Sequence, residues 1–198
     1  MTTSLLPFTE LPASEFITRR DRFFTEMPDN SIALFPAAIE LTRSNDTEYT
    51  FCQNKNFYYL TGFREPDALL MLIKADTNRV VLFSRAKNSL QEVWQGRRIG
   101  QVKAIDTYGL DECFSLEQQD ELIPEYLSGK TSLLYCMNEN EPVSKRFENN
   151  VFGWLSKVKA QSRTGKKPPA TLIDCSHIIH EMRLIKSTAE LDIRRRRS

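Results

Sequence analysis

The chain has 198 residues, of which 40% are hydrophobic and 27% are charged, and its formal net charge is +1. These values predict an ordinary globular protein with a core of normal size, and they exclude an intrinsically disordered chain. Proteins that bind nucleic acids or anionic membranes usually carry a strong excess of positive charge, which this chain lacks. We therefore expect neither of them as a partner.

The cysteines and the amino terminus favour a cytoplasmic protein. The four cysteines are Cys52, Cys113, Cys136 and Cys175. No two of them form a C-x-x-C pair, so neither a zinc ribbon nor a redox motif is indicated, and we expect free thiols in a reducing compartment. Residues 1–7 lack the charged and apolar segments of a signal peptide, and the longest near-apolar run, Ala68 to Ile73, is too short to span a bilayer.

The first part of the chain predicts a helix, a strand and a loop. Apolar residues at mixed three- and four-residue offsets predict an amphipathic helix from Ser14 to about Pro28. The apolar run from Ser31 to Pro36 has turn residues at both ends and predicts a buried strand. From Leu41 to Asn56 the chain is polar and has no period, so we expect an irregular loop.

Two apolar runs form the clearest hairpin in the sequence. They extend from Ala68 to Ile73 and from Arg79 to Phe83, and the turn residues Ala75 to Asn78 lie between them. Because neither run alternates apolar with polar residues, we expect both faces of these strands to be covered. The aromatic triplet Phe57-Tyr58-Tyr59, which precedes the hairpin, is interpreted as core rather than as a binding site.

The second half of the chain alternates helices with strands. Helices are predicted from Ser115 to Leu127 and from Val143 to Val158, where apolar residues mark one face. Strands are predicted from Thr131 to Cys136 and from Thr171 to Ile173. Strands that alternate with helices, together with one hairpin, predict an α/β fold with a mixed β-sheet flanked by helices.

The carboxyl end of the sequence predicts a domain boundary. Asp174 is placed to cap a helix, and Ser187 and Glu190 have the spacing of a capping box, which begins another helix. That second helix has barely begun when the sequence stops. We therefore expect one domain over residues 1–174, a linker and the start of a helix over residues 175–198, and a covalent continuation into a further domain.

No catalytic or metal-binding constellation stands out. His177 and His180 lie three residues apart with Glu181 beside them, but this is not an H-E-x-x-H motif, and a metal needs further converging ligands. We interpret His180 as packed beneath a domain boundary with one ring nitrogen hydrogen-bonded. No G-x-S-x-G elbow singles out a serine, and the nearness of Cys175 to His177 is too local to indicate a catalytic pair. Neither a G-x-G-x-x-G nor a Walker loop is present.

Trp94 is the first candidate binding residue. It begins the segment Trp94-Gln-Gly-Arg-Arg98, in which an indole stands beside two guanidiniums. Such a group can hold a carboxylate through the guanidiniums while an apolar neighbour stacks on the ring. The alternative is a solvated turn in which Trp94 merely packs. The basic run from Arg194 to Arg197 is interpreted as a helical face that docks on a further domain or as a disturbed chain end, rather than as a nuclear-localisation or nucleic-acid patch.

Three stretches of the sequence together resemble one family. They are Leu41 to Tyr49, continuing through Gln53 to Phe63 with Glu65-Pro66, then Val93 to Gly100, and finally Ile173 to Ser187 with Glu190. From about Glu15 to its end, the chain resembles the amino-terminal domain of Xaa-Pro aminopeptidase, also called aminopeptidase P. The creatinase and prolidase relatives share that domain in weaker form, and the stretch from Gln53 to Phe63 favours aminopeptidase P.

The resemblance implies a protein of two domains. An amino-terminal α/β domain of the creatinase/prolidase type precedes a catalytic pita-bread domain, which holds two metal ions, commonly manganese, bound by two Asp, one His and two Glu. In the family these ligands lie beyond the segment that matches His180 to Glu190. We therefore expect the catalytic domain and its dinuclear Mn(II) site to be absent from this chain, which should contain no catalytic residue, no metal ligand and no cofactor.

The implied activity of the intact protein is hydrolysis of the peptide bond before a proline at position two. Two metals would bridge a water molecule, lower its pKa and polarise the carbonyl group. Proline removes the amide N–H and fixes the backbone dihedral, so ordinary aminopeptidases fail at this bond. The intact protein is thus expected to be a metalloaminopeptidase, a hydrolase, and this chain alone is expected to be inactive.

The resemblance also implies binding residues and partners. Trp94 matches a family tryptophan near bound peptide, and Arg163 falls where the family has an arginine at the substrate entrance. An indole can stack on a proline ring, and a guanidinium can hold a peptide carbonyl or a terminal carboxylate. Family members form dimers or tetramers in which one amino-terminal domain reaches the rim of a neighbour's active site. The expected partners are therefore the chain's own catalytic domain, further copies of the chain, and a peptide with proline in second position.

Two alternatives remain open from the sequence. The chain could be a stand-alone binding or assembly module that uses this fold without catalysis. It could also be the amino-terminal domain of a prolidase or creatinase relative with other substrates. The sequence that follows residue 198 separates the stand-alone module from the enzyme, because only the enzyme requires the Asp, Asp, His, Glu, Glu ligand set downstream.

Overall fold

A computed structural model describes residues 11–45, 47–87, 98–137 and 143–197 of the chain. The helices in these ranges are α1 (Ala13–Glu26), α2 (Lys55–Thr61), α3 (Gln101–Tyr108), α4 (Gln119–Leu127), α5 (Val143–Ala160), α6 (Ser176–Leu184) and α7 (Thr188–Arg197). The strands are β1 (Ser31–Pro36), β2 (Thr42–Ser44), β3 (Thr47–Glu48), β4 (Leu69–Lys74), β5 (Arg79–Ser84), β6 (Glu112–Ser115), β7 (Ser132–Tyr135) and β8 (Thr171–Asp174).

Six of the strands form one mixed sheet in the order β6-β5-β4-β1-β7-β8. The β1–β7, β7–β8 and β5–β6 pairs are parallel, whereas β4 is antiparallel to both of its neighbours. Five strands therefore run in one direction; we call the edge at which they end the carboxyl edge and the opposite one the amino edge. The sheet confirms the predicted α/β fold with a mixed sheet flanked by helices.

Apolar side chains cover both faces of the sheet. One core includes residues of α1, α2, α3 and α6, among them Phe16, Phe57, Leu60, Ala104 and Ile179. The other core includes residues of α4 and α5, among them Ile123, Leu127, Phe147, Val151 and Trp154. Successive residues of β1, β4 and β5 contribute to alternate cores. This double coverage explains why the β4–β5 hairpin carries continuous apolar runs, as predicted.

Most of the predicted elements lie where the sequence placed them, namely α1, β1, the β4–β5 hairpin, α4, β7, α5 and β8. The irregular loop predicted from Leu41 to Asn56 is partly wrong, because it contains the β2–β3 ribbon and leads into α2. α2 is buried at Asn56, Phe57, Tyr59, Leu60 and Thr61, so it has no polar face to reveal helical periodicity. β6 is a four-residue edge strand that parallel pairing with β5 defines.

The last two helices pack against the body of the domain. Ile179 and Met182 of α6 are buried in the same core as Phe16 of α1. The predicted capping box before α7 is confirmed, because the Glu190 carboxylate accepts from the Ser187 backbone N–H at 3.0 Å and Ser187 Oγ accepts from the Glu190 N–H at 3.2 Å. Within the described ranges, no helix combines the length and the apolar character that crossing a bilayer requires.

Candidate functional site

The two residues predicted to bind substrate belong to different parts of the structure. Trp94 lies outside the described residues, but Lys87 and Arg98, which flank its segment, lie at the carboxyl edge. Arg163 lies in a short 3-10 turn, Ser162–Thr164, that follows α5, and its side chain is exposed. We therefore describe the carboxyl edge first and the turn of Arg163 second.

Hydrogen bonds hold the two chain segments that flank the Trp94 region. The Arg98 guanidinium donates to the Ala86 carbonyl oxygen at 2.8 Å. The Ile99 backbone N–H donates to Glu65 Oε1, also at 2.8 Å. The Gln101 side-chain amide donates to the carbonyl oxygens of Ser84 and Arg85, each at 3.2 Å. The incoming and outgoing segments are thereby tied to each other and to Glu65.

Gln53 joins the loops that position this edge. Its Oε1 accepts from the backbone N–H groups of Ala38 at 2.7 Å and Asn54 at 2.9 Å. Its Nε2 donates to the carbonyl oxygens of Phe63 at 3.3 Å and Glu65 at 2.9 Å. One half-buried amide thus links the segment after β1 with both ends of the turn around α2. Because its four bonds go to backbone groups, a side chain with both a donor and an acceptor is required here.

The residues that follow Gln53 set the ends of α2. Asn54 caps its start, because Oδ1 accepts from the backbone N–H groups of Asn56 at 2.9 Å and Phe57 at 3.0 Å. Gly62 ends the helix in the left-handed region at φ 68°, where a residue without Cβ avoids strain. Thr61 Oγ1 then accepts from the Phe63 N–H at 3.0 Å. The stretch from Gln53 to Phe63 is therefore a structural motif that carries the chain to Glu65.

An ion cluster formed by Arg85, Asp67 and Glu40 completes the carboxyl edge. Arg85 follows β5, its Nε donates to Asp67 Oδ2 at 2.9 Å, and its Nη2 contacts Asp67 and also Glu40 Oε2, the latter at 3.0 Å. Burial alone would lower the pKa of the Arg85 guanidinium, but the hydrogen bonds and charges of the two carboxylates outweigh it and raise that pKa. Asp67 is thus held in an ion pair with Arg85.

Asp67 also occupies an uncommon backbone conformation. Its φ is +50°, in the left-handed region that asparagine and aspartate tolerate better than most residues with a Cβ. Its backbone N–H donates to the Ala38 carbonyl oxygen at 3.1 Å, and the neighbouring Ala37 N–H donates to the Ala68 carbonyl at 2.7 Å. The Pro66-Asp67 dipeptide, a turn signal, is the sequence feature that could have predicted this site.

A groove of about 440 Å³ lies beside the ion cluster at the carboxyl edge. Phe147 and Trp154 of α5, together with Pro36 and Leu69 at the ends of β1 and β4, give it an apolar lining, and Arg146 and Asn150 add polar groups. The Trp154 indole N–H is already bound to Asp120 Oδ1 at 2.7 Å. The groove has the chemistry to receive an apolar side chain next to a charged rim.

Arg163 lies at the other edge of the sheet. The chain that follows its turn contacts the amino edge, where the Gly129 N–H donates to the Lys167 carbonyl at 2.8 Å and the Thr131 N–H donates to the Asn30 carbonyl at 2.9 Å. α5 connects the two edges and has 18 residues, which corresponds to about 27 Å at 1.5 Å per residue. The structure therefore does not bring Arg163 together with the segments that flank Trp94.

The third stretch that resembles the family, from Ile173 to Ser187 with Glu190, binds the carboxyl-terminal helices to the domain. Asp174 Oδ1 accepts from the backbone N–H groups of Ser176, the first residue of α6, at 2.9 Å and of Met137 at 3.3 Å, so its side chain satisfies the start of that helix although Cys175 occupies the N-cap position. Burial alone would raise the pKa of Asp174, but the hydrogen bonds from the Ser176 hydroxyl and from these N–H groups outweigh it and lower that pKa. The Arg183 guanidinium donates to Asn56 Oδ1 at 2.5 Å. Arg19 of α1 lies 3.4 Å from Glu190.

The histidines do not belong to a metal centre in the described structure. His177 and His180 are both exposed on α6, so the packing of His180 beneath a boundary with a further domain stays a prediction. The helix turns that residue outward, and Ile179 and Met182 fill the core instead. Across residues 11–45, 47–87, 98–137 and 143–197, no three His, Cys, Asp or Glu side chains converge to hold a metal ion. The described donors therefore do not fit a dinuclear metal site.

Comparison with known proteins gives one consistent result. Residues 16–135 match the family model described as "Aminopeptidase P, N-terminal domain". The chain is 37% identical over 190 residues to Xaa-Pro aminopeptidase of Escherichia coli. This alignment covers 95% of the chain and 42% of that relative. It is 33% identical to Xaa-Pro aminopeptidase of Haemophilus influenzae, with 92% and 39% covered, and 31% identical to human Xaa-Pro aminopeptidase 3, with 75% and 29% covered.

Solved structures agree with the sequence relatives. The low-pH form of E. coli aminopeptidase P superposes with a TM-score of 0.89 at 37% identity, over 95% of this chain and 42% of that one. A zinc-substituted form of the same enzyme, solved in complex with product, gives the same TM-score. The chain thus spans about two fifths of the length of these relatives.

Proposed function

Because the chain belongs to the family of aminopeptidase P N-terminal domains, we propose that it is the non-catalytic amino-terminal part of a metalloaminopeptidase that removes the first residue from Xaa-Pro peptides. Its role is to support assembly and to shape the approach of substrate. The observation that carries this proposal is the comparison with E. coli Xaa-Pro aminopeptidase, which matches nearly the whole chain yet only 42% of the relative.

The division of labour follows from the chemistry available in the chain. A metallopeptidase needs several carboxylate or imidazole ligands around its metals. The described residues do not fit such a site, so we assign a dinuclear centre, expected to bind Mn(II), to the remaining length of the relatives. No step of hydrolysis is assigned to a residue of this chain. We place the domain boundary near residue 174, where β8 ends and α6 begins.

The two candidate substrate contacts support a role in an oligomer. Arg163 and the segments that flank Trp94 lie at opposite edges of the sheet, which are separated by the length of α5. The described residues on either side of the Trp94 region are therefore remote from Arg163 of the same copy. We propose that Arg163 faces the catalytic domain of its own chain and that Trp94 reaches the active-site rim of a neighbouring copy in a dimer or tetramer.

The partners follow from this arrangement. They are the catalytic domain, further copies of the chain, and a peptide with proline in second position, on whose ring the Trp94 indole can stack. We further propose a cytoplasmic setting, which the four free thiols support because such compartments keep thiols reduced.

A chimera tests the substrate-approach role. The chain replaces the matching region of the E. coli enzyme, and hydrolysis of an Xaa-Pro peptide is followed with Mn(II). Trp94→Ala and Arg163→Ala should each raise KM by roughly tenfold with a smaller effect on kcat, the signature of lost binding. Trp94→Phe should recover part of the loss because a ring is retained.

Matched variants control for surface changes. Phe152→Ala removes an exposed aromatic side chain, and Lys167→Ala removes an exposed cation four residues from Arg163. Both should leave KM and kcat unchanged. Equal effects of the test and control variants would contradict the roles of Trp94 and Arg163. A mixed oligomer of the chimera, in which some subunits carry Trp94→Ala and the others a disabled catalytic domain, would show whether Trp94 acts on a neighbouring copy.

A further inference from the structure

Two cysteines that are distant in sequence are adjacent in the fold. Cys136 directly follows β7 and Cys175 directly follows β8, and these parallel strands pair in register up to Tyr135 and Asp174. The register therefore continues onto the two cysteines, and the Cys175 N–H donates to the Tyr135 carbonyl at 3.2 Å. Their sulfur atoms lie 3.7 Å apart.

The surroundings of the pair are buried and closely packed. Cys175 is fully buried and Cys136 is 9% exposed, and both belong to the core that contains α1, α2 and α6. The Asn56 amide nitrogen lies 3.9 Å from Cys136 Sγ. The neighbouring Cys136 thiol, together with burial, raises the pKa of the Cys175 thiol. Cys136 is the more exposed of the two thiols and is therefore the one that meets a reagent first.

The backbone geometry suits a covalent link. Neighbouring strands lie about 4.8 Å apart, within the roughly 4.4–6.8 Å between Cα atoms that disulfides require. The sulfur atoms need to approach only to about 2.05 Å, a change that side-chain rotation can provide.

Cys113 cannot reach this pair in the folded chain. Cys113 lies on β6, at the opposite end of the strand order from β8, and β5, β4 and β1 separate it from β7. Four strand spacings amount to about 19 Å. Cys52 is exposed in the segment before α2.

We propose that Cys136 and Cys175 form an oxidisable dithiol, which closes into an intrachain disulfide by exchange with a small-molecule disulfide. The Cys136 thiolate attacks the reagent to form a mixed disulfide and releases one reagent thiol. The Cys175 thiol then loses its proton to solvent, its sulfur attacks Cys136 Sγ, and the second reagent thiol leaves. The protein loses two electrons and two protons, and the reagent disulfide is reduced to two thiols.

The link would act on the junction between the sheet and the last helices. It closes a loop that contains α5, the turn of Arg163 and β8, and it fixes the first turn of α6, which Cys175 precedes. A closed loop of this length restricts the unfolded chain, so oxidation should raise the melting temperature by about 10 °C. Because the thiols are buried, the reaction should be slow and should accelerate in low, non-denaturing urea.

The test uses the 198-residue chain with a Cys52→Ser change, which removes the exposed thiol. The protein is incubated with glutathione disulfide, quenched, and analysed by intact mass, thiol titration and peptide mapping. We expect the mass to fall by two hydrogen atoms, one peptide pair to join Cys136 to Cys175, and dithiothreitol to reverse both the mass change and the rise in melting temperature. Cys113→Ser is the matched control and should behave identically.

Three results would overturn the proposal. The first is that both thiols persist after long incubation, even in urea that loosens α6 without unfolding the chain. The second is that the disulfide recovered joins Cys113 to either partner, and the third is that glutathione stays attached to Cys136 without closure. The peptide map needs no change at Cys136 or Cys175, so the outcome does not depend on whether variants at those positions fold.

Discussion

The phenolic hydroxyl of Tyr59 donates a hydrogen bond of 2.9 Å to the backbone carbonyl of Met182, which lies 123 residues further along the chain. The bond joins α2, which lies in the first stretch that resembles the family, to α6, which lies in the third. Arg183 makes a second link between the same helices through Asn56. The first and third of the stretches that resemble the family are therefore packed against each other, and this contact sets the path towards α7.

Removing the Tyr59 hydroxyl should loosen α6 without unfolding the sheet. Tyr59→Phe leaves the buried Met182 carbonyl without this donor, and we expect the free energy of unfolding to fall by about 1–2 kcal/mol. Amide hydrogen exchange should accelerate in α6 more than in β1 or β4. Tyr58→Phe is the control, because the Tyr58 ring contacts Phe16 edge-on and should retain that packing. Equal losses in both variants would contradict the link.

The sequence predicted the elements that have a periodic or covered pattern and failed for elements that tertiary contacts define. α5 shows apolar residues on one face, and the β4–β5 hairpin shows two continuous apolar runs, so both were predictable. α2 is short and buried around its circumference, and its ends depend on Asn54 and Gly62 rather than on periodicity. No local signal reveals a helix of that kind.

Gln53 should be the most sensitive polar residue of the first motif. Gln53→Ala removes four hydrogen bonds to backbone groups, two that the side-chain amide donates and two that it accepts. We expect the free energy of unfolding, measured in urea, to fall by about 2–4 kcal/mol. Gln118→Ala is the control, because the Gln118 side chain accepts a hydrogen bond from the exposed backbone N–H of Ser115. We expect this substitution to lower the free energy of unfolding by under about 1 kcal/mol.

Gln53→Glu provides a second test that depends on pH. The carboxylate keeps the acceptors but faces the carbonyl oxygens of Phe63 and Glu65, so its charged form is disfavoured and its folded-state pKa should be raised. A group with a raised pKa contributes stability at low pH that is lost as the pH rises through that pKa. The variant should therefore be closer to wild type at pH 4 than at pH 7, and the reverse order would contradict this geometry.

Arg85 should stabilise the carboxyl edge through both of its carboxylate partners. Arg85→Ala leaves Asp67 and Glu40 half-buried without their cation, and we expect a loss of about 2–3 kcal/mol. Arg85→Lys retains the charge but not the forked geometry, so its free energy of unfolding should lie between those of wild type and Arg85→Ala. Arg195→Ala breaks an exposed pair with Asp192 and should cost under about 0.5 kcal/mol. Comparable losses at Arg85 and Arg195, measured by urea unfolding, would contradict the structural role of the cluster.

Tyr126 should make the chain sensitive to alkali. Burial and the nearby Glu112 carboxylate, to which the hydroxyl donates at 2.7 Å, raise the pKa of Tyr126 to about 12. The folded state thus holds the phenolic proton more tightly than the unfolded state, whose pKa is about 10. This contribution is present below pH 10 and is lost as the pH rises towards 12.

The size of this effect is limited because the Tyr126 ring is partly exposed. Solvent screening keeps the contribution to about 1 kcal/mol or less. Unfolding in urea between pH 9 and 12 should show a steeper loss for wild type than for Tyr126→Phe, and Glu112→Gln should reduce the slope by removing the acceptor charge. A wild-type slope identical to that of Tyr126→Phe would contradict the assignment.

The candidate site was predictable only where the chemistry is local. Asp174 and the Ser187–Glu190 capping box satisfy helix ends within a few residues, so their spacing was informative. The Arg85–Asp67–Glu40 cluster and the Cys136–Cys175 pair instead depend on which strands lie side by side. Nothing in the separation of two cysteines indicates that β7 and β8 pair in register, so these contacts required the structure.

The most direct measurement is the metal-dependent hydrolysis of an Xaa-Pro peptide by the purified chain alone, with E. coli Xaa-Pro aminopeptidase assayed in parallel. Metal binding is followed by calorimetry in the same buffer containing Mn(II). We predict no turnover and no stoichiometric Mn(II) binding by the chain, while the chimera with the remaining length of the E. coli enzyme hydrolyses the peptide. Turnover by the 198-residue chain, lost on chelation and restored by Mn(II), would contradict the assignment of catalysis to another domain.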